Sequence, residues 1–164
     1  VWFENWRQTD VHILDADHET VLYTAKLKMR KPQIRMYSAS TQEEIGTASF
    51  PVFSSGFDSV IHGQSIPIKS RGVLKNGHFF VSEALPGAKF TWKSTSKLNL
   101  VCEDERGVRV ASYTWPSVSM RKGGRFDFFS PEVARDAVFE EILVTGLVIV
   151  QSNASAAQVA AVTY

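Results

Sequence analysis

Val133-Ala134-Arg135-Asp136-Ala137-Val138-Phe139-Glu140-Glu141-Ile142-Leu143-Val144-Thr145-Gly146-Leu147-Val148-Ile149-Val150-Gln151 is the stretch that decides the fold. Ser130-Pro131-Glu132 before it is a helix-start signal, because proline is pre-organised for the first helical turn and lacks only an N–H that would go unbonded there. The spacing predicts a helix over about 131–152 with apolar residues on nearly every side. A helix that is apolar all round must be enclosed by protein or by lipid. Lipid is the poorer answer. The uninterrupted apolar run is only Ile142 to Val150, and Arg135, Asp136, Glu140 and Glu141 break any longer window, whereas a membrane span needs about 20 apolar residues.

What encloses the helix is read from the residues before it. Val21, Tyr23, Ala25, Leu27 and Met29 alternate with Leu22, Thr24, Lys26, Lys28 and Arg30, the period of two that marks a strand. Lys31-Pro32 breaks that run and Gln33 to Ser38 resumes it; Glu44 to Val52, Gln64 to Lys69 and His78 to Ser82 read as further strands. Asn76-Gly77, Leu85-Pro86-Gly87 and Asp104-Glu105-Arg106-Gly107 supply turn residues between them. About ten short antiparallel strands precede the helix, with no partner helices. The expected architecture is therefore mainly β: a closed antiparallel barrel of 10–12 strands around a buried, apolar C-terminal helix, with 1–164 as one domain. Closure removes the exposed edges that so many strands would otherwise leave.

The 18 Lys and Arg residues against 17 Asp and Glu leave a formal charge of +1. The whole molecule is thus not an electrostatic magnet for nucleic acid. The single Cys102 allows no internal disulfide, and alternation places it beside Leu98 and Leu100 as a small buried hydrophobe. A lone cysteine favours a reducing, intracellular and cytoplasmic home, and no secretory leader is recognisable.

Phe90-Thr91-Trp92-Lys93, then Leu98-Asn99-Leu100-Val101, Asp104-Glu105-Arg106-Gly107, Val108-Arg109-Val110-Ala111-Ser112-Tyr113 and the closing Phe139 to Val150 occur in an order that resembles a fungal, mainly mushroom-type, family. That family is similar to the tubby C-terminal, LURP-one-related and phospholipid scramblase superfamily. The resemblance covers about Thr20 to Ser152 and implies a roughly twelve-stranded barrel around a C-terminal helix. It also implies a binding module, since tubby relatives hold phosphoinositides in a basic pocket, although no ligand motif of theirs is matched residue by residue. The Lys and Arg run with which the family usually ends is replaced here by Gln151-Ser152-Asn153.

Candidate sites follow from charge. Lys26, Lys28 and Arg30 are expected on one strand face with Lys31 beside them, a cluster suited to lipid headgroup phosphates. Lys89, Thr91 and Lys93 form a second polar face, and Arg121, Lys122 and Arg125 flank a Gly-Gly turn. His12, Asp15, Asp17, His18 and Glu19 precede the strand at Val21; they read as a connecting loop, with oxygen ligation of a divalent cation as the other reading. Trp2, Phe3 and Trp6 are expected to cover a barrel opening. No nucleophile elbow, phosphate loop, dinucleotide fingerprint or paired metal-ligand spacing occurs. The expected function is non-enzymatic binding to anionic phospholipid or a protein partner, peripheral at the membrane, without cofactor, metal or nucleic acid. A hollow, lipocalin-like barrel carrying a small apolar ligand is the alternative.

Overall fold

The computed structural model describes residues 2–4, 10–28, 30–50, 56–72, 77–96, 99–115, 122–131 and 136–162, with the backbone alone for 2–4, 122–123, 136 and 155–162. Among the described residues thirteen strands precede one helix. The first seven are β1 (Trp2–Glu4), β2 (Asp10–Leu14), β3 (Val21–Leu27), β4 (Ile34–Ser38), β5 (Glu44–Ser49), β6 (Asp58–Ile61) and β7 (Gln64–Ser65). The rest are β8 (Lys69–Ser70), β9 (His78–Val81), β10 (Lys89–Ser94), β11 (Leu100–Glu103), β12 (Arg109–Thr114), β13 (Lys122–Phe128) and the helix α1 (Asp136–Val162).

All neighbours pair antiparallel in one sheet of order β7-β6-β5-β4-β3-β2-β1-β13-β12-β11-β10-β9-β8. The first and last members of that order, β7 and β8, lie on one short segment, separated by Ile66-Pro67-Ile68. This segment pairs with β6 at one end and with β9 at the other. Between them Phe57 and Ile68 exchange backbone hydrogen bonds of 2.8 and 2.9 Å. The change of partner falls after Ile68, which still bonds Phe57 beside β6, whereas Lys69 pairs with Phe79 of β9.

The helix is described from Asp136, residues 132–135 of the expected start lying outside the described residues, and it continues ten residues further than expected, through the small-residue stretch after Gln151. Every residue from Glu140 to Val150 is buried, about three turns, so no side of the helix meets solvent there. Ala137–Ala154 is long and apolar enough to cross a membrane, yet 67% of that window is buried within the fold, as a core helix requires. Each fully buried Leu, Ile or Val contributes about 1.5–3 kcal/mol, and Ile142, Leu143, Leu147 and Val148 are all fully enclosed.

Strand alternation sends Phe90, Trp92, Val110 and Phe126 inward against the helix. Two devices fix its depth. A Cβ at Gly146 would come within 2.7 Å of the Phe126 ring and 2.8 Å of Trp92, so only glycine permits this approach. One residue earlier, Thr145 Oγ1 accepts a hydrogen bond from Trp92 Nε1 at 3.0 Å and donates to the Ile142 carbonyl at 3.2 Å.

Because the strands run antiparallel in chain order, successive turns alternate between the two ends of the sheet. The β2–β3, β4–β5, β6–β7, β9–β10 and β11–β12 turns share the end at which the helix starts. The β3–β4 and β8–β9 connections lie at the opposite end.

Candidate functional site

The four cations singled out from the sequence lie together but not as a strand face. β3 stops at Leu27, where the Lys28 N–H bonds the Gln33 carbonyl at 2.7 Å and opens the β3–β4 turn. Only Lys26 is a strand residue; Lys28, Arg30 and Lys31 belong to the turn, before a cis Lys31–Pro32 bond. The alternation ran on past the strand because a turn entered from lysines looks the same to a two-residue period. All four side chains are exposed. Lys26 sits 5.5 Å from the Tyr37 ring centre and is opposite Asp10 and Arg35 in register. Arg35 is neutralised by Glu44 at 2.9 Å, leaving the turn cations to set the local field.

The second basic face is half spent. Lys93 pairs with Glu103, and Lys89 Nζ lies 4.2 Å above the Phe79 ring. Of the Gly-Gly turn cations, Arg125 pairs with Asp127 at 2.9 Å, while Arg121 and the Lys122 side chain lie outside the described residues. So do the side chains of Trp2, Phe3 and Trp6; β1 itself, Trp2–Glu4, runs between β2 and β13.

The loop from Asp15 to Thr20 turns its acids on its own backbone. Asp17 Oδ1 accepts the Glu19 and Thr20 amides, both at 2.9 Å, and Oδ2 takes the Thr20 hydroxyl at 2.5 Å. The Thr20 hydroxyl above all, then those amides, hold the Asp17 carboxyl down at about 2. Its oxygens are thereby committed to the turn. No group of three His, Cys, Asp or Glu residues suited to a metal occurs among the described residues. Cys102 is fully buried, and burial followed by the Glu103 charge pushes its thiol well above the usual range, the opposite of what a thiolate nucleophile needs.

Two charged residues at the head of the helix were missed in the sequence, where they appear only as interruptions of an apolar run. Glu140, 7% exposed, takes the Tyr23 hydroxyl at 3.0 Å and meets His62 Nε2 at 2.5 Å. Glu141, 3% exposed, takes the Ser82 hydroxyl and the Glu83 and Ala84 amides at 3.0 and 2.9 Å. Consecutive helix positions point about 100° apart, so the pair ties three hairpins to the helix: β2–β3 through Tyr23, β6–β7 through His62 and β9–β10 through Ser82 to Ala84. The signal that could have found them is their place: adjacent carboxylates inside an otherwise enclosed helix must have partners.

The turns at the two ends differ sharply in charge. At the helix-start end the described turn residues include Asp15, Asp17, Glu19, Glu43, Glu83, Asp104 and Glu105 against Arg106, although Lys89 and Arg109 begin adjoining strands. At the opposite end they hold Lys28, Arg30, Lys31 and Arg71 with no acid, although Asp10 and Asp58 begin adjoining strands. A near-neutral molecule is thus electrically two-ended.

No family model, curated protein or solved structure matches the chain. The functional reading rests on this geometry and on the family resemblance of the sequence.

Proposed function

We propose that the sheet closes into a barrel around its helix and that this plugged barrel is a non-enzymatic binding module of the tubby-like class. It docks on anionic, phosphoinositide-bearing membrane through its outer surface. The observation that carries the reading is the helix, buried on all sides from Glu140 to Val150. A side chain such as Leu147 occupies the space that a carried ligand would need, which disfavours the hollow, lipocalin-like alternative. One short run, which pairs with β6 through Gln64 and Ser65 and with β9 through Lys69 and Ser70, supports closure.

Binding then falls to the exterior, where Lys26, Lys28, Arg30 and Lys31 are exposed together. Each cation near an anionic surface is worth roughly 1 kcal/mol, screened within a Debye length of about 10 Å at 0.1 M salt. Four together give weak, salt-sensitive attachment at the cell's inner membrane face. Sedimentation with phosphoinositide liposomes at low salt tests it. The wild type should pellet and the double variant Lys28→Glu, Arg30→Glu should not, at unchanged melting temperature. A wild type that stays in the supernatant removes the lipid reading and leaves a protein partner.

A further inference from the structure

The end of the sheet remote from those cations carries an apolar cleft of about 250 Å3, lined by Leu85, Ala88, Phe90, Val108 and Val110. One of the most exposed large hydrophobic residues lines it, and two more are joined to its lining residues through the backbone. Val108 is 51% exposed at its rim. Phe129, 53% exposed, follows β13 and donates its N–H to the Val110 carbonyl at 2.9 Å. Val81, 47% exposed, is the register partner of Lys89, which also lines the cleft. Exposed apolar surface gathered about a cavity marks a contact site more often than scattered single residues do.

The rim charges are unequal in availability. Lys89 keeps its charge above the Phe79 ring, and Arg106 is paired with Asp104 at 2.9 Å. Asp104 is further committed to the Arg106 and Val108 amides at 2.9 and 2.8 Å. Glu105 beside the cleft and Glu83 in the β9–β10 turn are exposed, and neither side chain has an ion-pair partner among the described residues. Lys89 and the exposed Arg109 oppose them, but the described acids of this end, Asp15, Asp17, Glu19 and Glu43 included, outnumber its cations.

We propose that this cleft docks a basic polypeptide segment, which inserts one apolar side chain flanked by Lys or Arg. The volume falls below the roughly 300–1,000 Å3 of ordinary small-molecule pockets and suits a single anchoring side chain, as interface hot spots do. The acidic surround repels an anionic membrane and attracts a cationic chain. The site stands apart from the membrane reading and survives its failure, because the two surfaces lie at opposite ends.

Fluorescence anisotropy with three labelled peptides, Lys-Lys-Leu-Lys-Lys, Lys-Lys-Gly-Lys-Lys and Glu-Glu-Leu-Glu-Glu, tests it at low salt. The first should bind at least tenfold more tightly than either of the others. Val108→Asp and Glu105→Lys should each weaken it about tenfold, with unchanged circular dichroism, and the remote Lys28→Glu should leave it unaltered. Absent binding of the leucine peptide, or equal binding of the glycine or glutamate peptide, overturns the proposal. So does concentration-dependent self-association that Val108→Asp abolishes, which would assign the cleft to a second copy of this chain.

Discussion

Two sets of carboxylates, Glu140–Glu141 on the helix and Asp15–Asp17 in the β2–β3 turn, are equally well bonded and do opposite jobs. Asp17 reaches no further than Thr20, so its bonds shape a turn that would exist in some form without them. Glu140 reaches back to Tyr23 and His62, and Glu141 to Ser82, Glu83 and Ala84. Those bonds span most of the chain and place the hairpins on the helix. The difference teaches that an acidic residue's structural weight follows the sequence distance and burial of its partners, not the number of its hydrogen bonds.

The strongest way to break the comparison is to put a carboxylate inside the helix without partners. Leu147→Asp buries a charge against apolar neighbours, which costs several kcal/mol. The variant should be insoluble or unfolded. Soluble protein with wild-type melting would show that the helix is not enclosed.

Glu141→Ala removes an acceptor instead. The Ser82 hydroxyl and the Glu83 and Ala84 amides lose their bond in a buried or half-buried setting, at about 1 kcal/mol or more each. A loss of about 3 kcal/mol lowers Tm by about 6–12 °C for a chain of this size. Differential scanning calorimetry should find that drop, with Glu141→Gln between the two. A change of under 2 °C would put Glu141 in the same class as the surface acids.

The smallest effect belongs to Asp17. Its carboxyl is held at about 2 in the folded protein, against an ordinary value near 3.8. A depressed carboxyl contributes stability above its unfolded value, and that contribution is lost as pH falls through the folded one. The Tm difference between wild type and Asp17→Asn should therefore be constant above about pH 5 and shrink between about pH 4 and 2. A difference that does not change over that window would show that the turn bonds are not held by the charged form.

Much of the fold was legible in the sequence because it is written in local periods. The alternation through Phe90 and Trp92 puts both inside, and Gly107 adopts the positive φ of 78° that a charged Gly turn suggests. The enclosed helix follows from an apolar run that leaves no face for water. What was not legible depends on partners. The end of β3 at Leu27 is set by the Lys28–Gln33 bond, which the period of Lys26, Lys28 and Arg30 does not encode. The run Gln64 to Lys69 reads as one strand, yet it leaves the β6 side after Ile68 and pairs with β9 from Lys69. Glu140 and Glu141 were invisible as structural residues because their partners lie up to 117 positions away. The candidate site was legible as a set of cations. Its place in a turn, and the acidic character of the opposite end, emerge only once the strands are put in order.

The sheet order has a kinetic consequence. Nearly every ladder joins strands adjacent in the chain, but β1 pairs with β13, bringing Trp2 opposite Arg125. Neighbouring hairpins form from short loops, whereas this seam closes almost the whole chain. The entropy of closure grows only logarithmically with loop length, so the seam costs about 3 kcal/mol more than a hairpin and must wait for both halves of the meander. The start of the chain and the strand before the helix thus meet at the centre of the sheet order, while its two outermost strands come from the middle of the chain.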